Sequence, residues 1–353
     1  MVKGILVSAP RSGEGKTLLT LGLLHLFKRK GFVVQPFKLG PDFIDPKWHF
    51  EACGVPSYNL DLFSMGKERL KALFYTKAKE SQIIVVEGVM GLFDGAFSTF
   101  KIAKLLRLPI LLVINAFGVG ESLKYLLKGF SEAIKRAGLP FFIFLNKVSS
   151  EGHLLRLEKT LKPYKIFGYL LRNKEFELPS RHLGLYLPED LKIAQQIIEK
   201  LSFELEKNVD FSLLKELEIE ENSSPFMPTF LPSIPYKAIA LAYDSAFNFY
   251  YPHLLEELSK KTKIYYFSPL KDEVIPDAAE AVYIGGGYPE LFAEKLSQNK
   301  RTIKAIKKWV KEGRPLYAEC GGLVFLSRAL TWENITYKLT NIFPFEMEKK
   351  GLS

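Results

Sequence analysis

The sequence predicts an α/β protein with two successive parallel-sheet domains, the first built on a phosphate-binding loop. Three observations predict it. A glycine-containing segment, Ser8-Ala9-Pro10-Arg11-Ser12-Gly13-Glu14-Gly15-Lys16-Thr17, lies between an apolar run at 4–7 and an amphipathic run at 18–29. Short apolar runs alternate with helical ones through both halves of the chain. A Pro/Ser-rich stretch separates the two patterns.

The loop comes first because strand, glycine turn and helix follow in the order that anion binding needs. Gly13 and Gly15 let backbone N–H groups converge on a phosphate, and the helix N-terminus adds its positive end. Lys16 supplies a charge for the β- and γ-phosphates, and the Thr17 hydroxyl is a ligand type for Mg²⁺. The match to G-x-x-x-x-G-K-[ST] is imperfect: Pro10 stands at the first glycine, and Arg11 where a variant group carries a second lysine.

Further candidate strands are 33–39, 83–87, 110–115, 141–146 and 166–169, with helical runs at 121–136 and 152–161. Continuous apolar strands separated by helices argue for a sheet covered on both faces, with functional groups at the carboxyl ends of the strands. Three of those ends are polar. Residues 37–46 carry Lys38, Asp42 and Asp45; residues 85–95 carry Glu87 and Asp94; the third ends in Asn146. Mg²⁺ is usually held by one or two carboxylates plus substrate phosphates, and an Asn amide can both donate to and accept from a purine edge.

Residues 201–236 change character, charged at first and then Pro/Ser-rich, and read as a linker. The expected organisation is thus a domain over 1–200, a linker over 201–236 and a second domain over 237–353. The second domain shows strands at 238–242, 264–267, 281–284 and 316–318, and helices at 252–260, 289–296 and 302–311. Gly285-Gly286-Gly287 follows a strand and can present amides to an oxyanion. Glu319-Cys320-Gly321-Gly322 has the form of a nucleophile elbow, where a helix N-terminus favours thiolate. Cys53 reads as structural.

Composition bounds the partners. The 353 residues carry a net charge of +10 with no long basic tract, which argues against nucleic acid and suits nucleotides or polycarboxylates. Two distant cysteines fit a reducing cytosol, and no apolar stretch is long enough for a membrane span. The sequence enters the first strand at once, so no signal peptide is expected.

With these residues in place, the chain resembles the cobyrinic acid a,c-diamide synthases, ATP-dependent glutamine amidotransferases of corrin biosynthesis. The matching stretches are SAPRSGEGKT, PFKLGPDFIDP, VVEGVMGLFDG, FLNKV with a following His153, GGGYPELFAEKLS and YAECGGLVFL. The resemblance implies a dethiobiotin-synthetase-like ATP domain followed by an incomplete class I glutaminase-like (flavodoxin-like) α/β domain. It implies Mg²⁺ with ATP, glutamine or ammonia as nitrogen donor, and a tetrapyrrole polycarboxylate as acceptor. Oligomeric state is left open, a homodimer included. Lys16 and Lys38 would offset phosphoryl charge, with Thr17, Asp45 and Glu87 on the metal side. Asn146 would read adenine, and Asp42, Ile44 and Asp94 would lie near the acceptor. Cys320 would attack glutamine, with Gly286, Gly287 and Gly321 around the oxyanion.

One departure stands out. Class I glutaminases need a histidine base downstream of the cysteine, and no histidine follows Cys320, so a C-terminally truncated chain is expected. His253 lies upstream and is a poor substitute. Alternative readings are the same chemistry on hydrogenobyrinic acid or nickel sirohydrochlorin, and a ParA/MinD-like ATPase switch. Arg11 in place of that group's lysine and the glutaminase-like half argue against the switch.

Overall fold

Runs such as Ile83–Glu87 and Ile110–Asn115 are apolar on both alternating faces, so they are satisfied only where helices cover the sheet on both sides. That is the arrangement in the computed structural model, which describes residues 2–176, 188–219 and 233–348. The chain divides into two compact units, Met1–Pro228 and Thr229–Ser353.

In the first unit the elements run β1 (Lys3–Ser8), α1 (Lys16–Arg29), β2 (Val34–Leu39), α2 (Asp45–Cys53), β3 (Tyr58–Leu60), α3 (Leu62–Ala78) and β4 (Ile83–Glu87). They continue with α4 (Thr99–Leu106), β5 (Ile110–Asn115), α5 (Leu123–Arg136), β6 (Phe141–Val148), α6 (Glu151–Thr160), β7 (Lys165–Leu171) and α7 (Pro188–Asn208). The seven strands are all parallel, in the order β3-β2-β4-β1-β5-β6-β7. The strand order reverses about β1, which sits between β4 and β5. The carboxyl ends at such a switch point form a crevice open to ligands.

The expected linker at 201–236 does not begin at 201. Ala194, Ile198, Leu201 and Leu205 form a helical stripe on α7 that is buried against α1 in the first unit's core. Gly22 of α1 permits the approach, because a Cβ there would lie 2.5 Å from Leu205 Cδ1. Residues 211–217 and Ile219 also pack on this unit, and Ile219 N donates to the Val2 carbonyl at 3.1 Å. The spacing of those apolar residues is readable in the chain, but the charges between them mask it. The Pro/Ser-rich stretch at 222–232 lies outside the described residues.

The second unit contains β8 (Ala238–Ala242), α8 (Pro252–Lys261), β9 (Lys263–Phe267), β10 (Ala281–Ile284), α9 (Ala293–Gln298), α10 (Lys300–Lys311), β11 (Leu316–Ala318) and α11 (Gly321–Leu326). Its main sheet is parallel, in the order β11-β10-β8-β9. The expected helix at 289–296 is a 3-10 turn at Pro289–Phe292 followed by α9. A small sheet that the sequence pattern does not predict follows: β12 (Ala329–Trp332), β13 (Ile335–Lys338) and β14 (Glu346–Glu348), with β12 central. Phe247, Ile306, Trp309 and Phe325 are buried together in this unit's own core.

Candidate active site

The loop between β1 and α1 is fixed by backbone geometry and by one side chain. Gly15 has φ 100°, and a Cβ there would fall 2.2 Å from Asn146 Nδ2, so no side chain fits. Glu14 ties the loop to its neighbours. Its Oε1 accepts from Arg11 Nε at 2.7 Å and its Oε2 from the Asn115 amide at 2.6 Å, while its carbonyl accepts from Asn146 Nδ2 at 2.8 Å. Arg11 therefore braces the loop from an exposed position.

Lys16 is almost buried, with its Nζ 3.3 Å from the Arg11 carbonyl. Burial pulls its pKa below the ordinary lysine value against the field of Glu87. Lys38, on β2, is 3% exposed and lies among three carboxylates. Its Nζ is 2.6 Å from Asp45 Oδ2, 2.8 Å from Glu87 Oε1 and 3.8 Å from Asp42 Oδ2, and it donates to the Gly88 carbonyl at 3.2 Å. Burial opposes its charge, but Glu87, Asp45 and Asp42 outweigh burial and raise its pKa. The same balance runs in reverse at Glu87, which is fully buried at the end of β4. Burial disfavours its charge, yet Lys38 and the His49 hydrogen bond hold its pKa well below the carboxylate range. Thr17 Oγ1 donates to Glu87 Oε1 at 2.7 Å. Thus Lys16, Thr17, Lys38, Asp45 and Glu87, spread over 72 positions of sequence, come together at the crevice.

Asp42 has a structural task as well. Its Oδ1 accepts from the Ile44 and Asp45 amides at 2.8 and 3.0 Å, capping α2 and aiming Asp45 at Lys38. Burial works against its charge, but Lys38 and those amides win and lower its pKa. Asn59 Nδ2 donates to the Gly40 and Asp42 carbonyls at 3.0 and 2.6 Å, which locks this turn. Ile44, expected beside an acceptor, packs half-buried against the first unit's core. Asp94 is exposed, and its Oδ2 accepts from the Gly91 amide at 2.9 Å, shaping the loop after β4.

A cavity of about 850 Å³ opens over the loop from Asp42 and Met90 to Asn146, Arg172 and Phe176. At its far end the Arg172 guanidinium lies 4.1 Å from the Phe117 ring centroid. Asn146 spends one N–H on the Glu14 carbonyl and accepts at Oδ1 from the Lys147 amide at 2.9 Å. Its second N–H and second lone pair are what an amide has left for a purine edge. Sequence reasoning does not find Glu14, His49, Asn59, Phe117 or Arg172. Only His49 carries a usable signal, four residues after Asp45 on one helix.

The metal implied by the resemblance fits these residues. A hydroxyl and two carboxylates beside a phosphate loop are hard oxygen donors, and among the described residues no cluster of three or more His, Cys, Asp or Glu forms a dedicated cage.

In the second unit Cys320 joins β11 to α11 at φ 49° and ψ −117° and is exposed. Such a backbone is strained for a side-chain-bearing residue and turns the thiol outward from the junction. The glycines around it exist for close approach. A Cβ at Gly287 would lie 1.9 Å from the Ala246 carbonyl oxygen, and one at Gly321 3.0 Å from Gly287 N. A Cβ at Gly286 would be 3.5 Å from Cys320 Sγ. The preceding Glu319 is gripped by two phenols: Tyr283 donates to Oε1, and Tyr317 to Oε2 at 3.2 Å. Burial and then Glu319 raise the Tyr283 pKa, keeping it a donor. Tyr250 accepts from the Gly285 amide at 2.7 Å and donates to the Ala242 carbonyl at 2.6 Å, bracing the glycine loop. Cys53 is buried, its Sγ bonds the His49 carbonyl at 3.1 Å, and burial pushes its thiol up to about 11, as a structural cysteine requires. His253, near the start of α8, is buried and stacked on Tyr251.

Fold and site together define an enzyme class in which a nucleotide-binding domain is joined to a glutamine amidotransferase domain. Residues 5–185 match the CobQ/CobB/MinD/ParA nucleotide binding domain, and residues 238–351 match the CobB/CobQ-like glutamine amidotransferase domain. The chain belongs to the cobyrinate a,c-diamide synthase family. It is 40% identical to the cobyrinate a,c-diamide synthase of Saccharolobus solfataricus over 99% of this chain and 81% of the relative. Identity is 38% to that of Caldanaerobacter subterraneus, over 98% and 78%, and 38% to that of Sulfurisphaera tokodaii, over 98% and 80%. Among the described residues no helix is long and apolar enough to cross a membrane.

Proposed function

We propose that this protein amidates the a- and c-carboxylates of cobyrinic acid, using ATP to form acyl phosphates and ammonia released from glutamine. The observation that carries the reading is the convergence of Lys16, Thr17, Lys38, Asp45 and Glu87 on one phosphate loop. A carboxylate is a poor electrophile, so its oxygen must first take the γ-phosphoryl group. Phosphoryl transfer asks a protein mainly for positioning and charge compensation. Lys16 and Lys38 supply positive charge where the transferring group gathers negative charge. Thr17, Asp45 and Glu87 would hold Mg²⁺, which would supply positive charge against the phosphates. Asn146 would read a purine edge, and Asp42, Ile44 and Asp94 would lie near the acceptor.

In the second unit Cys320 would attack the glutamine amide carbon to leave a thioester, the thiol proton departing with the amide nitrogen as ammonia. No histidine follows Cys320 to act as base, so free ammonium is the donor that does not depend on this step. Amides of Gly286, Gly287 and Gly321 are the candidate oxyanion donors. The protein is read as acting in the cytosol on soluble substrates.

The test supplies purified protein with ATP, Mg²⁺ and either glutamine or ammonium chloride, and follows amide formation by mass. Cobyrinic acid, hydrogenobyrinic acid and nickel sirohydrochlorin are compared as acceptors. Double amidation of cobyrinic acid is the expected result. ATP hydrolysis with no nitrogen incorporated into any of the three would overturn the reading in favour of an ATPase switch.

A further inference from the structure

Among the described residues, His49 is the one fully buried titratable side chain at the phosphate site to which the reaction above gives no task. It is 0% exposed, on α2. Its Nε2 lies 2.7 Å from Glu87 Oε2, and its Nδ1 lies 2.8 Å from Ser57 Oγ, just before β3. A carboxylate only accepts, so Nε2 carries a proton and donates to Glu87, while Nδ1 is within hydrogen-bond distance of the serine hydroxyl. Glu87 thereby has its two oxygens committed differently. Oε2 faces His49, and Oε1 faces Thr17 and Lys38 at 2.7 and 2.8 Å.

The helix makes this arrangement a unit. Asp45 and His49 are four residues apart and share one face of α2. Asp45 reaches Lys38, His49 reaches Glu87, and Lys38 joins Glu87, so the contacts close into a ring. A carboxylate fixed at one oxygen cannot rotate without breaking that bond. We propose that His49 is a positioning residue: it holds Glu87 so that Oε1 alone faces the nucleotide and its metal. The proposal rests on the reading of Glu87 as a metal-side group. Partners of this kind typically change metal affinity or activity by about 10–100-fold.

Two substitutions separate positioning from packing. Glutamine places its amide nitrogen near the position of imidazole Nε2, whereas asparagine reaches only as far as Nδ1. The measurement is the gain in affinity for a non-hydrolysable ATP analogue on adding Mg²⁺, by calorimetry, with kcat and the acceptor KM alongside. His49→Asn should reduce the metal-dependent gain about 10-fold or more, leave metal-free affinity and acceptor KM unchanged, and lower kcat. His49→Gln should restore most of the gain. Ser57→Ala, which keeps the imidazole but frees its far side, should cause a smaller loss in the same direction, and it carries the test if His49→Asn does not fold. Equal losses in His49→Asn and His49→Gln, or an unchanged gain in His49→Asn or in Ser57→Ala, would overturn the proposal. A wild-type protein with no Mg²⁺-dependent gain would overturn the metal-side reading itself, and the proposal with it.

Discussion

The two units hold their reactive groups by opposite means. In the first, the side chains proposed for phosphoryl transfer are charges buried together. Lys38 and Glu87 are 3% and 0% exposed, and each keeps its charge because the other is there. In the second, Cys320 is exposed, and its immediate surroundings are backbone: a strained φ, a glycine loop and the start of a short helix. A buried charge cluster is interdependent, since removing one member leaves the others uncompensated. Around the Cys320 thiol the surroundings are peptide groups packed too closely for the addition of a Cβ at Gly287 or Gly321. The difference gives each unit its own mode of failure.

The largest expected effect separates the units outright. Cys320→Ala should abolish glutamine-supported amidation and leave ammonium-supported amidation at its wild-type rate, because the phosphoryl site shares no residue with the elbow. The check is product mass with each donor in parallel. Loss of the ammonium-supported rate as well would join the two sites and break the comparison.

Next comes the charge cluster. Glu87→Gln should lower the rate with either donor by about 10²–10³, the usual scale for one well-placed electrostatic group. Asp45→Asn should act in the same direction, through Lys38. Saturation kinetics decide whether the loss lies in kcat, as expected. A loss confined to acceptor KM would move these carboxylates to the acceptor side.

A smaller effect concerns what belongs to the first unit. Gly22→Ala should press on Leu205, loosen α7 and cost about 1–3 kcal/mol of stability, as overpacking does. Urea unfolding of the full chain measures it. If residues 201–208 behaved as a free linker, the variant would unfold with the wild type.

The smallest effect is in acid. Glu87 and Asp42 have folded-state pKa values held below their ordinary values of 4.5 and 3.8. A depressed pKa contributes stability that is fully present above the unfolded value and is lost as pH falls through the folded one. Thermal stability should therefore hold from pH 7 to 5 and decline below about 4.5, with a shallower decline in Glu87→Gln. Superimposable acid limbs for the two proteins would remove Glu87 from this account.

Much of the fold and of the site is legible in the amino-acid sequence. The strands at 83–87 and 110–115, the loop ending in Lys16-Thr17 and the Cys320 elbow are local patterns. Period, glycine placement and strand-to-helix order lie within a few residues of one another, so the chain itself specifies them. The short strand Tyr58–Leu60 escapes such reasoning because three residues give no period, and only pairing with β2 makes them a strand. Helix α7 escapes it for another reason: its stripe of Ala194, Ile198, Leu201 and Leu205 needs α1 opposite before the intervening charges read as the solvent face.

The sequence by itself determined which residue types stand ready at the strand ends: Lys38, Asp42, Asp45, Glu87, Asn146 and Cys320. Tertiary structure alone decided how they are partnered. It gave Asp42 the cap of α2, tied the Asn146 amide to the Glu14 carbonyl, packed Ile44 on the core and set His49 behind Glu87. The physical reason is range. Propensity and periodicity act over a few residues, whereas His49 and Glu87 are 38 apart and meet only because β2 and β4 pair and α2 folds back beside them. A hydrogen bond of that kind has no trace in the chain until the sheet brings its two ends together.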